Sequence, residues 1–279
     1  MKILRTNLRP KWVFKTDKKV WRLLPGNGVL ATELRDPDAK ITEYAAIDLS
    51  SGTPLWQGRR FEEPWWIAMN RIFRDVFLLQ QFVKPDMPTT GKIFAIDLFT
   101  GKTLWENHEL TFLNASGDMI YGIRGSIGAR SVVGLNFRTG EEAVVLAADD
   151  TKIEELSFPS QEEEFILSSF FEEFQDTLST ERVSILQKSV PEEGRNPTCI
   201  PSVFDKDVIG YYTETGKDEK GNALYDSHLK VIDPAGRTLF EDTVDRKVYT
   251  TLGDFYFVVD TDLIYARNSS EIVALDLKG

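Results

Sequence analysis

Short apolar runs alternate with polar residues along most of this chain, and clusters of Gly, Asp, Asn and Pro separate them. WWIAMNRIF (65–73) is followed at once by DVFLLQQFV (75–83), LTFLNAS (110–116) by MIYGIRG (119–125), and GDFYFVVD (253–260) by LIYARN (263–268). A period of two, β-branched and aromatic content and turn-forming boundaries predict strands. No stretch pairs a 3.6-residue apolar stripe with capping residues, so no helix is expected.

The strand pairs lead into a recurring phrase, apolar–Asp–Leu–x–Thr/Ser–Gly–x–x–Leu–Trp. It reads AIDLSSGTPLW at 46–56 and AIDLFTGKTLW at 95–105, then weakens to GLNFRTGEEAVV (134–145), VIDPAGRTLF (231–240) and VALDLKG (273–279). The aligned residues are Asp48, Asp97, Asn136, Asp233 and Asp276, at intervals of 49, 39, 97 and 43 residues. The third interval is about two periods long, which leaves room for one degenerate copy. RVSILQK (182–188) stands near its middle and reads as its strand. Six units of four antiparallel strands follow, repeated about an axis: a single six-bladed β-propeller over residues 1–279, with seven blades the alternative.

In this reading the Asp closes the third strand and the Trp opens the fourth. Gly52, Gly101, Gly140 and Gly236 supply the positive φ that a short hairpin turn demands. The Asp side chain accepts backbone N–H bonds two or three residues on, which makes it a turn lock rather than a metal ligand or a general base. The last unit stops after its Asp turn. The segment RPKWVFKT (9–16) offers the missing fourth strand, with Trp12 in the role of Trp56 and Trp105, so the ring is expected to close by a strand from the opposite terminus.

AIDLSSGTPLW and AIDLFTGKTLW resemble the repeats of quinoprotein-type (PQQ-like) β-propellers, whose consensus ends its third strand in Ala-Leu-Asp and opens its fourth with Trp. The resemblance spans the turn region in five of the six units. It implies the propeller fold. Quinone-dependent dehydrogenases of this class hold their cofactor with adjacent cysteines and a calcium site, and they usually have eight blades. This chain has one cysteine, so no quinone, no metal and no other cofactor is expected. It is most similar to bacterial propellers of the group that have no assigned chemistry.

Composition narrows the partners. Lys and Arg number 33 against 44 Asp and Glu, a net charge of −11, and no dense basic stripe interrupts the acidity. Such a chain repels phosphate backbones, so nucleic acid is not expected as a partner. No run of apolar residues is long enough to span a bilayer, and MKILRTNLRPKWVF lacks the apolar stretch of a signal peptide. Cys199 alone cannot form an internal disulfide, which fits a reducing compartment, the cytoplasm by default. No feature calls for an oligomer, and a monomer is expected.

The Asp–turn–Gly hairpins are short and make one face of the ring plain. The loops after the second strands, at 35–43, 84–91, 172–182 and 215–227, are longer and lie on the opposite face with the connections between units. Elaborated loops on a rigid scaffold are where binding usually resides. One such connection, GRRFEEPWW (58–66), joins Arg59, Arg60, Trp65 and Trp66, residue types that anchor ligands and partners. These four are the candidate binding residues; the competing reading packs the tryptophans into the core. His108 and His228 lack metal-ligand spacing, and no GxSxG elbow accompanies any serine. Cys199 reads as a buried thiol, and the acidic runs 161–165 and 171–174 read as solvated loops. No catalytic residue is assigned. The function expected is a non-catalytic scaffold that binds a protein or a small polar ligand on its long-loop face. The alternative is an enzyme whose residues converge on the central channel.

Overall fold

A computed structural model of the chain describes residues 8–84, 87–125, 130–147, 150–153, 165–170, 173, 177–249 and 256–278. Among them are twenty-two β-strands and one α-helix. The chain divides into two compact units, Lys18–Glu164 on one hand and Met1–Asp17 with Phe165–Gly279 on the other. The first strand, β1 (Pro10–Lys15), belongs to the latter.

The unit Lys18–Glu164 contains three four-stranded antiparallel sheets, each in simple up-and-down order. The first comprises β2 (Lys19–Gly26), β3 (Val29–Asp36), β4 (Ile41–Asp48) and β5 (Pro54–Arg59). The second comprises β6 (Ile67–Phe73), β7 (Val76–Lys84), β8 (Met87–Asp97) and β9 (Thr103–Asn107). The third comprises β10 (Thr111–Ser116), β11 (Met119–Arg124), β12 (Ser131–Asn136) and β13 (Glu142–Ala147). The middle strands are buried on both faces, which is why β4 reads ITEYAAID and tolerates no charge along Tyr44–Ile47.

The repeated phrase forms the turn expected of it. Asp48 Oδ1 accepts the Ser51 N–H at 2.8 Å and the Ser50 hydroxyl at 2.6 Å. Asp97 Oδ1 accepts the Thr100 N–H at 2.9 Å, and Asn136 Oδ1 accepts the Thr139 N–H at 3.0 Å. In each turn the glycine then donates its N–H back to the Asp or Asn carbonyl. Hydrogen bonds from the Ser50 and Ser51 hydroxyls hold the Asp48 carboxyl below its ordinary range. At Asp97 burial pushes upward, but the Thr100 hydroxyl and amide, with Arg138, outweigh it and the net shift is downward. A carboxyl depressed in the folded state stabilises the fold above its unfolded pKa, and that contribution is lost as pH falls through the folded one. Urea midpoints should therefore fall below about pH 4, and Asp97→Ala should flatten that acid limb; an unchanged slope would contradict the turn-lock role.

The tryptophans reveal what the phrase does between sheets. Trp56 lies opposite Ala46 in its own sheet and Trp105 opposite Ala95. Each indole reaches the turn of the following sheet. Trp56 Nε1 donates to the Leu98 carbonyl at 2.8 Å, and Trp105 Nε1 to the Phe137 carbonyl at 3.0 Å. The turn glycines make room for the rings. A Cβ on Gly101 would stand 2.7 Å from Trp56 Cδ2, and one on Gly140 would stand 2.6 Å from Trp105 Cγ. The glycine thus serves twice, through its positive φ (69° at Gly101) and through the space it leaves. Gly101→Ala should cost about 1–3 kcal/mol by overpacking alone, read as a lower urea midpoint with an unchanged m-value.

The other unit contains two five-stranded sheets. Two-residue strands β14 (Ile166–Leu167) and β15 (Ser169–Phe170) each edge one of them. After the helix α1 (Thr180–Ser189) come β16 (Gly194–Val203), β17 (Lys206–Lys217), β18 (Ala223–Ile232) and β19 (Thr238–Val248), which pair in sequence beside β15. The strands β20 (Tyr256–Val259), β21 (Asp262–Arg267) and β22 (Glu271–Asp276) follow. In their sheet β1 pairs antiparallel with β22, as the closure argument requires, and Trp12 stands opposite Ala274. That is the register of Trp56 on Ala46 and Trp105 on Ala95. Trp12 is buried, and Val13 packs on the Val273, Leu275 and Leu277 core.

Two expectations need correction. Residues 182–188, read as a degenerate strand, are helical. Ser179 caps the helix by accepting the Arg182 N–H at 3.3 Å, and Ile185, Leu186 and Val190 turn one face onto Cys199, Ile209, Tyr211 and Ile232. The alternating V-S-I-L fits a strand and a helix equally; the cap and the following Gln-Lys decide for the helix. Ile185 Cγ2 lies 3.1 Å from where a Cβ on Gly236 would be, so α1 occupies over that turn the place a tryptophan takes at Gly101 and Gly140. Five sheets lie among the described residues, and much of the stretch expected to hold the fourth unit lies outside them.

The loops after the second strands are also shorter than expected. β3 ends at Asp36 and β4 begins at Ile41, with Asp36 Oδ1 holding the Ala39 N–H at 2.9 Å. Asp218 does the same between β17 and β18, accepting the Asn222 N–H at 2.8 Å. Most of 84–91 is strand, since β7 runs to Lys84 and β8 begins at Met87. Asp36 and Asp218 close their two hairpins tightly, so polar sequence there marks strand extension rather than loop. The acidic runs 161–165 and 171–174 fall largely outside the described residues, as do 172 and 174–176 of the loop 172–182, whose last three residues open α1. No helix among the described residues is long and apolar enough to cross a membrane.

Candidate functional site

The connection from β5 to β6 is fixed at both ends. Glu63 Oε1 accepts the N–H groups of Trp65 at 2.9 Å and Trp66 at 3.0 Å, which folds residues 63–66 into a compact turn. The Pro64 carbonyl then accepts the Thr42 N–H at 2.6 Å, and the Trp66 carbonyl accepts the Phe82 N–H at 2.7 Å. The segment is thereby stitched to the sheets on either side of it.

Arg59, the last residue of β5, donates to Thr103 Oγ1 at 2.7 Å and lies over the Phe61 ring, 5.1 Å from its centroid. Its Nε is buried and has no hydrogen-bond partner among the described residues. Arg60 donates through Nε to Glu43 Oε1 at 2.6 Å, and Lys18 Nζ holds the other Glu43 oxygen at 3.2 Å. Phe61 turns inward, its ring 4.6 Å from that of Phe94 and 5.8 Å from that of Tyr44.

These side chains wall an open cavity of about 530 Å³ on the end of the second sheet remote from its Asp97 turn. Arg59, Arg60, Glu62 and Glu63 line it from the connection, and Gln81, Lys92, Phe94 and Glu106 from β7, β8 and β9. Lys92 and Phe94 share a face because they are two apart on β8, and Glu106 stands directly opposite Phe94 on β9. Lys92 Nζ approaches Glu106 Oε2 only to 3.9 Å. Three cations thus face three carboxylates, with an amide between them and little apolar wall exposed. Polar groups that keep part of their bonding capacity in a cleft of this size are what a small polar ligand requires.

Of the four candidate residues, Arg59 and Arg60 line the cavity and Trp65 and Trp66 do not. The tryptophans also precede β6, which begins at Ile67, so neither is a core residue of the strand. Trp65 packs against charges instead. Arg35 lies between two indoles, 4.8 Å from the Trp21 centroid and 4.7 Å from that of Trp65, with Lys40 Nζ 4.8 Å from the latter. Arg35 Nε donates to Glu33 Oε1 at 2.7 Å, and Glu33 is fully buried. Burial pushes the Glu33 carboxyl up, against the opposing pull of Arg35. Trp66 is 38% exposed.

Sequence reasoning noted Glu62 and Glu63 only as part of GRRFEEPWW, not as binding residues, and did not pick out Gln81, Lys92 or Glu106. The signal was present for Lys92 and Glu106: in KIFAIDLFTGKTLWE the residues on that face of β8 and β9 turn polar at the end remote from the turn. Gln81 carries no such mark.

The remaining candidates sit elsewhere. His108 is exposed, its Nε2 3.8 Å from Glu106. His228 stacks on Tyr211 at 5.0 Å and shares a 2.8 Å hydrogen bond between Nε2 and Thr213 Oγ1, and burial lowers its pKa. Cys199 is buried in β16, where desolvation pushes its thiol far up, out of the range of a reactive thiolate. Among the described residues no three His, Cys, Asp or Glu side chains gather as a metal site would require.

A family model described as a domain of unknown function (DUF4905) matches residues 24–105, from the end of β2 through β9. No curated protein matches. Similar solved structures include a europium-containing methanol dehydrogenase, at 14% identity and a TM-score of 0.33, with 96% of this chain covered. The chain spans 53% of that enzyme's length, about half. A member of the DUF4221 family from Bacteroides vulgatus is similar at 9% identity and a TM-score of 0.35, with 97% of this chain and 98% of that one covered. The β-propeller domain of the trilobed protease from Pyrococcus furiosus is similar at 12% identity and a TM-score of 0.33, with 94% of this chain and 70% of that one covered. The fold assignment rests on the four-stranded sheets and their repeated turns.

Proposed function

We propose that this chain is a non-catalytic binding module of the β-propeller kind, and that it takes a small polar ligand into the cavity beside Arg59–Glu63. In this reading the sheets are blades of one ring, closed by β1. The blade count is six, with α1 in the place of the outer strand of the fourth unit. The observation that carries the binding reading is the cavity itself: about 530 Å³, walled by six charged side chains and Gln81 on the ends of β7, β8 and β9 and on one pinned connection. A binding site needs fixed polar groups with unused capacity, and Arg59, Glu62 and Lys92 supply them. A catalytic reading would ask for a nucleophile or a general acid–base pair at the same place. Glu62, Glu63 and Glu106 are the groups that could fill those roles, so recovery of the compound unchanged or as a product separates the two readings.

The test is equilibrium dialysis of the protein against a low-molecular-weight filtrate of bacterial lysate, with the retained compounds identified by mass spectrometry. The expected result is retention of a polar compound, recovered chemically unchanged, and its loss in an Arg59→Ala/Glu62→Ala double variant whose melting temperature is near that of the parent. Equal retention by parent and variant, or recovery of the compound as a product, would contradict the proposal.

A further inference from the structure

The charges around the cavity permit a narrower statement, which rests on its being a ligand site. Arg59, Arg60 and Lys92 bring three positive charges and Glu62, Glu63 and Glu106 three negative ones. They are not equally free. Arg60 is committed to Glu43, and one oxygen of Glu63 is committed to the two tryptophan amides. Lys92 and Glu106 stand 3.9 Å apart, beyond hydrogen-bond distance, so each retains capacity for a second partner. Arg59 uses one nitrogen on Thr103, and Glu62 has no hydrogen-bond or ion-pair partner among the described residues.

We infer that the ligand is a zwitterion, an α-amino acid or a short peptide. Its carboxylate meets Arg59 and Lys92, and its ammonium group meets Glu62 and Glu106. The free groups set this choice. A dianion would satisfy Arg59 and Lys92 but would face Glu62 and Glu106 unpaired, and a diamine would meet the converse penalty. Like charges brought together in a partly desolvated site cost affinity directly, so the carboxylates reject the one class and the cations the other. A neutral ligand would leave both pairs unsatisfied. The Gln81 amide can serve a peptide bond in either sense. A cleft of about 530 Å³ lies within the range of small-molecule sites.

Isothermal titration with alanyl-alanine, its N-acetyl derivative, its C-terminal amide, succinate and putrescine tests the inference. The dipeptide is expected to bind, and removal of either terminal charge is expected to weaken it about tenfold or more, the loss typical of one charged hydrogen bond. Arg59→Gln should weaken the dipeptide by a similar factor while leaving the amide unaffected, a difference that a general structural defect would not produce. Succinate or putrescine binding better than the dipeptide would overturn the zwitterion and leave the cavity as a site for that other class. Failure of every probe would also overturn it, while retention of a compound in the dialysis experiment would show independently whether the cavity binds at all.

Discussion

Replacing Trp105 with alanine is expected to cost the fold about 3–5 kcal/mol, the range for removing a buried large aromatic. The expectation rests on three observations. The indole is buried, its Nε1 donates to the Phe137 carbonyl at 3.0 Å, and its ring fills the space above Gly140. Truncation would open a cavity between two sheets and leave a carbonyl at a turn without its donor. Trp56 makes the same contacts one sheet earlier, against Leu98 and Gly101. The two substitutions should therefore have similar effects, Trp56 a little less because it is only partly buried. Chemical denaturation checks this directly. A loss under about 1 kcal/mol at Trp105 would mean that the repeated phrase shapes a turn and does little to join sheets.

The second large effect concerns β1. Deleting residues 1–16 removes the outer strand from β22, with the buried Trp12 that stands opposite Ala274, and takes Val13 from the core that contains Val273, Leu275 and Leu277. It also removes the Lys15–Glu271 ion pair, whose Lys15 hydrogen bond helps hold the Glu271 carboxyl low. An unpaired β22 would present a long apolar edge, the kind that pairs with other chains. The truncated protein is expected to melt at least roughly ten degrees lower and to aggregate on heating. Trp12→Ala in the full chain should reproduce much of the loss without exposing the edge. An unchanged midpoint in both would contradict the role of β1.

What was legible in the sequence, and what was not, divides along physical lines. The Asp–turn–Gly–Trp phrase was legible because each of its residues answers a local requirement: an acceptor for turn amides, a positive φ, an aromatic beside a small residue. Trp12 could be placed from the terminus for the same reason. The helix at 180–189 was not legible, because four alternating residues suit either period and the cap is one serine among many. Nor were the hairpin lengths, since Asp36 and Asp218 tighten turns that polar composition made look open. The cavity was half legible. Arg59 and Arg60 stand together in the chain, but Gln81, Lys92 and Glu106 join them only through strand pairing. Trp65 and Trp66 were attractive as anchors for their residue type, yet Trp65 faces Arg35 and Lys40 and lines no part of the cavity.

The most direct test of the account is amide chemical-shift mapping of the full chain during titration with the retained polar compound. Saturable shifts confined to residues 59–63, 81, 92–94 and 106, with the turns at Asp48, Asp97 and Asn136 unmoved, are the result predicted. Saturable shifts centred on those turns, or on the His228–Tyr211 stack, with residues 59–63 silent, would contradict it.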